Sequence, residues 1–305
     1  MKQLLFGKTV SPILSFSNTE ANTSNLNENR GRFSLSGAQS KYSVLIKDGK
    51  FCLTSPGEQG TFILKPVLTD FERRSDSPAN EHLTMQIARQ VFHIDTAECE
   101  LCQFENGEPA YITKRFDIAP DGSKIQQEDF ASLAGITRDS HGPDYKYNAL
   151  SYEDIGCLIR RYLPAWRVEM VKFFDLILFN FLFSNGDAHL KNFSILKTTD
   201  GDYRLAPAYD LINTHIHLPG DSIFALRKGL FTDGRSFPRG IGNNDFREFG
   251  LAIGLLSRVV DGELERFCSD YPEIQTMVNS SSLSEESKGL YYGQYLTRLN
   301  SFLRD

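Results

Sequence analysis

Three oxygen-bearing side chains are spaced to do chemistry: Asp187 and Asn192 in Ser184-Asn185-Gly186-Asp187-Ala188-His189-Leu190-Lys191-Asn192, and Asp210 in Ala208-Tyr209-Asp210-Leu211. A carboxylate, an amide five residues later and a second carboxylate beyond a short connection suit phosphoryl transfer. In that reaction the protein has little covalent chemistry to perform. It must orient a hydroxyl in line with the γ-phosphorus and hold Mg²⁺ against the phosphates. Asp187 is the candidate to receive the hydroxyl proton. Asn192 and Asp210 are the candidate metal ligands, because Mg²⁺ takes oxygen donors and keeps part of its water shell. A solvated loop rich in Asn, Asp and Gly would look the same in isolation, so the flanking elements must decide.

Those elements fit the chemical reading. Val171 to Phe183 is almost wholly apolar and suits a buried helix that delivers the loop. Phe193-Ser194-Ile195-Leu196 and Tyr203-Arg204-Leu205-Ala206 flank Thr198-Thr199-Asp200-Gly201-Asp202, whose Asp-Gly is a hairpin signal. That hairpin would carry the chain from Asn192 to Asp210. Upstream, Thr61-Phe62-Ile63-Leu64-Lys65-Pro66 is an apolar strand ending in a lysine, and a charge there needs a partner or solvent. Pro78-Ala79-Asn80-Glu81 opens an amphipathic helix with Leu83, Ile87 and Val91 on one face. Glu81, in its first turn, is the natural partner of Lys65; two unrelated surface charges are the alternative.

Gly37 and Ala38, between Arg32 and the strand-like Tyr42-Ser43-Val44-Leu45-Ile46, leave room for backbone N–H groups to approach phosphates. With one Gly the loop is neither a Walker A nor a G-x-G-x-x-G motif, and a plain hairpin turn remains open. Ala110 to Asp117 reads as a further strand, placed in chain order where an adenine would meet backbone donors and acceptors. From Gln127 the pattern turns helical, with a capping box at Ser151-Tyr152-Glu153-Asp154. Arg227, Lys228, Arg235 and Arg239 form a basic loop that either steers an acidic or tRNA-associated partner or is simply solvated.

The 305 residues, 40% hydrophobic and 24% charged with net charge −6, describe an ordinary globular protein and exclude wholesale nucleic-acid coating. The N-terminal apolar run is too short for a signal peptide and no run is long enough to span a membrane, so a cytoplasmic protein is expected. Five cysteines in a chain this large are expected as free thiols, and the Cys99-x-x-Cys102 pair has no second pair at a zinc-site distance. Residues 18–31, rich in Asn, Ser and Thr, read as a flexible lead-in.

Ser34-Leu35-Ser36-Gly37-Ala38-Gln39-Ser40-Lys41, Gln127-Glu128-Asp129-Phe130, Asp187 to Ser194 and Leu205 to Asp210 together resemble the HipA family of bacterial serine/threonine kinases. The resemblance implies an α+β, protein-kinase-like fold with two lobes. An N-terminal segment (1–30) would precede a β-rich small lobe (31–117) and a larger helical lobe (118–305), with ATP and Mg²⁺ in the cleft. Ser36, Gly37, Ala38, Gln39, Ser40 and Lys41 would cover the phosphates, Lys65 would pair with them, and Lys114, Arg115 and Phe116 would form the adenine hinge. Asp187 would be the base. His189, Leu190, Lys191 and Tyr209 would contact the nucleotide, and Asn192 and Asp210 would hold the metal. Ser34 aligns with a serine that family members autophosphorylate, and Ser36 is a second hydroxyl nearby; a phosphate on either would repel ATP.

The resemblance further implies a toxin of a toxin–antitoxin system that phosphorylates an aminoacyl-tRNA synthetase, with a HipB-like DNA-binding partner and no direct nucleic-acid contact. The short lead ahead of the loop and its Ser-x-Ser pattern look like the HipT type, in which a separate small HipS-like protein acts as antitoxin. Lys114 departs from the family, where glutamate is common at the hinge. Two other readings stay open: a small-molecule phosphotransferase of the aminoglycoside kind, and a non-catalytic pseudokinase. Delivery into another cell is likewise open.

Overall fold

The computed structural model describes residues 2–18, 40–237 and 240–303. It starts with a hairpin of β1 (Gln3–Leu5) and β2 (Lys8–Val10). An antiparallel five-stranded sheet follows, built from β3 (Tyr42–Lys47), β4 (Lys50–Leu53), β5 (Phe62–Pro66), β6 (Cys99–Gln103) and β7 (Pro109–Lys114) in the order β4-β3-β5-β7-β6. Helix α1 (Ser77–Gln90) lies between β5 and β6 in the chain, with Pro78 in its first turn, where a missing N–H costs nothing.

Alternation along the strands gives the sheet two apolar faces. Phe62 and Leu64 of β5 and Ala110 and Ile112 of β7 pack with Leu5, Val10, Leu14 and Phe16. The first part of the expected N-terminal segment thus packs on the small lobe through these residues. Strands of three residues are too short to show a period of two in the sequence. On the other face Tyr111 joins Leu83, Ile87 and Ala88 of α1. Lys65 is one residue on from Leu64 and opposite Tyr111, so the pleat turns it toward α1 and away from the cluster of Leu5, Val10, Leu14 and Phe16.

The larger lobe is built around a helix that is apolar on nearly every side. Short helix α2 (Tyr145–Asn148) and α3 (Tyr152–Tyr162) precede α4 (Trp166–Leu182), and α3 starts with the expected box between Ser151 and Asp154. Helix α4 buries Met170, Phe173, Phe174, Ile177, Leu178, Phe179, Phe181 and Leu182. Its one buried acid, Glu169, bonds the backbone N–H of Leu205 at 2.8 Å and Lys172 at 2.7 Å. Strand β8 (Gln127–Asp129) pairs with β9 (Ser194–Lys197), which pairs with β10 (Tyr203–Leu205) across the expected turn, where Gly201 takes φ +90°. Helices α5 (Asn243–Ala252), α6 (Ser257–Cys268), α7 (Pro272–Ser280) and α8 (Glu285–Phe302) complete the lobe. All five cysteines are free, and among the described residues no helix is long and apolar enough to cross a membrane.

Helix α1 belongs to both lobes. Just beyond its C-terminus Phe92 stacks on Phe267 at 4.8 Å and meets Phe179 and Phe183 of the α4 end at 5.6 and 5.8 Å. Just before its N-terminus the Asp76 carboxylate accepts from Ser284 N at 3.0 Å and from the Ser284 and Ser287 hydroxyls at 2.6 Å, which fixes the start of α8. Phe92→Ala removes the ring at this junction and is expected to lower unfolding free energy by about 3–5 kcal/mol in urea denaturation, as large-to-small core changes do. A loss under about 1 kcal/mol would show that the junction carries little of the stability.

Candidate functional site

The cleft between the lobes contains a buried group of charges. Lys65 is 3% exposed, and its Nζ lies 2.5 Å from Glu81 Oε1 and 2.6 Å from Asp210 Oδ1. Lys41 Nζ takes the second Asp210 oxygen, Oδ2, at 3.1 Å. Three elements therefore converge: β5 brings the lysine, α1 brings the glutamate from its second turn, and the loop after β10 brings the aspartate. Burial pushes the Asp210 carboxyl up, but the Lys41 and Lys65 ammoniums outweigh it and hold the group well below the usual carboxylate range. For Glu81 burial wins and the carboxyl is raised despite Lys65. Lys65 is opposed by burial and raised overall by Asp210 and Glu81.

Asp210 has φ +56° and Ser184, at the head of the other functional stretch, φ +52°. Non-glycine residues rarely take this conformation, and surrounding bonds must hold it. Asn80 of α1 supplies two of them, donating to Asn213 O at 2.8 Å and accepting from Asn213 N at 3.1 Å. Thr214 N donates to Ser184 O at 3.0 Å, and the Thr214 hydroxyl accepts from Gly186 N at 3.0 Å. A Cβ on Gly186 would meet Ser222 O at 2.5 Å and the Asp221 carboxylate closer still, so only glycine fits there. The Asp210 loop and the Asp187 loop are thereby bonded to each other and to α1.

In the second loop the Asp187 carboxylate is buried, and Oδ1 accepts from the Tyr147 hydroxyl at 2.7 Å. Asn192 donates its amide to Asp187 O at 3.2 Å, leaving Oδ1 as the side-chain atom it can offer to a cation. His189 is buried; burial and then Lys146 push its imidazole well below the ordinary histidine value, so the ring is neutral. Its Nε2 faces Lys146 Nζ at 2.8 Å, and Nδ1 has no hydrogen-bond partner among the described residues. Leu190 is fully buried in the core, and Lys191 O accepts from the Tyr209 hydroxyl at 2.8 Å. Tyr209 also bonds Ser194 at 2.6 Å and packs on Phe116 at 5.4 Å.

At the expected hinge, Lys114 N and Arg115 N donate to Glu98 O and Thr61 O, and the two side chains pair with Glu98 and Asp117. The Lys114 side chain is thus directed to the surface, and Phe116 is the member of the trio that meets Tyr209. Lys41 borders the cleft through its bond to Asp210, and Ser40 precedes it. Ser34, Ser36, Gly37, Ala38 and Gln39 lie outside the described residues, as does Arg239. A cavity of about 580 Å³ opens beside Asp187 and Gly186 and is lined by Tyr147, Phe224, Arg227, Lys228, Arg235 and Asp221 among others. Sequence reasoning missed Lys146, Tyr147, Asn80 and Thr214. Their only trace in the sequence is as polar residues near apolar helices.

The donor set suits Mg²⁺. Asn192 and Asp210 offer an amide oxygen and a firmly ionised carboxylate, both hard ligands, and each carboxylate oxygen retains a lone pair beyond the one its lysine uses. Because the Asp210 carboxyl sits below the 3.8 of a free aspartate, its stabilising contribution is complete above that value and disappears as pH falls through the folded-state value. The stability gap between wild type and Asp210→Asn should therefore be widest near neutral pH and shrink on acidification to about pH 2. Denaturation midpoints measured across that range would show a constant gap if Asp210 were not held ionised by the lysines.

The sequence matches the family model described as the HipA-like C-terminal domain over residues 33–273. It is 34% identical over 190 residues to a protein designated a candidate kinase, Y4mE, of Sinorhizobium fredii, covering 60% of this chain and 43% of that one. A protein of Haemophilus influenzae, also designated a candidate kinase, is 30% identical over 272 residues, covering 83% and 76%. The chain spans about half the length of the Sinorhizobium relatives. Its backbone is similar to HipA in the complex of HipA, HipB and operator DNA from Shewanella oneidensis MR-1, with a TM-score of 0.71 at 20% identity, over 90% of this chain and 66% of that one. The Helicobacter pylori proinflammatory kinase CtkA gives 0.56 at 15% identity, over 87% and 91%. At such identities the likeness establishes the fold, which is kinase-like with a curled small sheet over a helical lobe. With the family model spanning most of its length, the chain belongs to the HipA-like C-terminal domain family.

Proposed function

We propose that this chain is an ATP- and Mg²⁺-dependent serine/threonine protein kinase. The observation that carries the reading is the meeting of Lys65, Glu81 and Asp210 in the same cleft as Asp187 and Asn192. Lys65, oriented by Glu81, would pair with phosphate oxygens, and Asn192 and Asp210 would hold the metal. Bound there, Mg²⁺ supplies charge neutralisation on the phosphates. Asp187, oriented by Tyr147, accepts the proton of the incoming hydroxyl, which arrives from the cavity beside it.

The cavity also bears on the rival readings. A polycationic aminoglycoside needs an acidic acceptor site, whereas Arg227, Lys228 and Arg235 outnumber Asp221 and Asp187 here. A pseudokinase has no need of the complete set from Lys65 to Asp210. The Shewanella neighbour's complex with HipB and operator DNA supports a toxin role with a HipB-like partner. An aminoacyl-tRNA synthetase as substrate, a HipS-like antitoxin and autophosphorylation at Ser34 or Ser36 complete the proposal on the strength of the resemblance.

Incubation of the purified protein with labelled ATP, Mg²⁺ and a bacterial lysate, followed by mass spectrometry, tests it. Label is expected on one lysate protein and on Ser34 or Ser36, and Asp187→Asn should reduce transfer at least about a hundredfold, as loss of a general base does. Label confined to a small molecule, or transfer undiminished in Asp187→Asn, would sink the assignment.

A further inference from the structure

Lys146 is outside every motif that pointed to the site, and its surroundings are unusual for a lysine. It lies on α2, where its ammonium approaches His189 Nε2 at 2.8 Å and the Tyr147 ring at 5.1 Å. Among the described residues no carboxylate pairs with it, so its hydrogen-bond partner is a neutral ring. The other cleft lysines with described partners, Lys41 and Lys65, are both bonded to Asp210. A half-buried ammonium with only a neutral acceptor is left with an unmet demand for negative charge. Burial accordingly pushes the Lys146 ammonium below an ordinary lysine, opposed by the Asp187 and Asp210 charges and reinforced by those of Lys41 and Lys191.

Its location says which anion would answer the demand. Tyr147, the next residue, grips Asp187 Oδ1 at 2.7 Å, and the His189 ring that Lys146 meets is two residues on from that candidate base. His189, its ring partner, accepts from Asn192 N through its backbone O at 2.8 Å, which ties the pair to a candidate metal ligand. The group lying between a base and a metal ligand in a phosphotransfer cleft is the phosphoryl in flight. We propose that Lys146 binds the terminal phosphate of the nucleoside triphosphate, as a cation supplied from outside the catalytic loop and steadied by His189. Among the described residues neither Lys146 nor His189 is bonded to a carboxylate, so the ammonium is open to a phosphate oxygen beside its contact with the ring.

The proposal rests on the reading of the cleft as an ATP site, and the test separates the two. Wild type, Lys146→Met and Lys146→Arg are titrated calorimetrically with the β,γ-imido analogue of ATP and with ADP, each with Mg²⁺. Loss of one charge-assisted hydrogen bond should weaken the triphosphate analogue roughly ten- to hundredfold in Lys146→Met and leave ADP nearly unchanged. Lys146→Arg should retain most of the affinity. ADP binding serves as the internal check that each variant is folded. Equal losses on both nucleotides would mean a merely structural lysine, and no loss on either would mean no phosphate contact; both outcomes overturn the proposal with the kinase reading intact. A wild-type protein that binds neither nucleotide overturns both.

Discussion

Burying Lys65 between two carboxylates is the constraint around which the molecule is arranged. Each ion gives up hydration worth several kcal/mol, and the mutual attraction offsets this only when the geometry is close. Here the distances are 2.5 and 2.6 Å, and the three side chains come from a strand, a helix and a loop far apart in sequence. Small displacements of any one would leave an uncompensated charge out of water. The sheet order, with β5 at the centre, and the packing of α1 against Tyr111 and the neighbouring strands hold two of the three. The Asn80 bridge to Asn213 holds the loop that carries the third.

The same bridge explains how strained backbone persists at the site. Ser184 and Asp210 adopt left-handed angles, and the loops they belong to are joined by Thr214 and bonded to α1 through Asn80. Strain of this kind costs about 1–3 kcal/mol for each residue and survives where neighbouring bonds over-determine it. Its return is direction: Asp210 is turned to the lysines while Asn192 and Asp187 are fixed to each other through a side chain-to-backbone bond. Rigidity at the chemical end is thus drawn from polar bonds among buried loops, whereas the helical core behind it is held by rings such as those of Phe92, Phe179 and Phe183.

Much of this was legible in the sequence. Asp187, Asn192 and Asp210 stood out because metal and proton chemistry restrict residue type, and the hairpin between them has a turn signal of its own. Lys65 and Glu81 were legible because a lysine closing an apolar strand is costly without a partner. Tyr147 and Lys146 were not, since what matters about them is a contact with Asp187 or His189 some forty residues away, which no local pattern encodes. The β1–β2 hairpin was hidden by brevity, and the surface-directed Lys114 by the fact that strand order alone says nothing of which way a side chain turns at the strand's end.

Helix α1, shared between the lobes, also bears on control. In enzymes of this general shape the helix carrying the glutamate is a common switch, swung outward to silence the site. Here the helix is pinned by Asp76 and α8 at one end and by Phe92 among the rings of α4 and α6 at the other. Swinging it would expose a large part of the main apolar core together with the buried glutamate. A lever so firmly anchored makes a poor toggle: moving it means unpacking the centre of the molecule, and the glutamate it carries is held in place by the same contacts that hold the two lobes together.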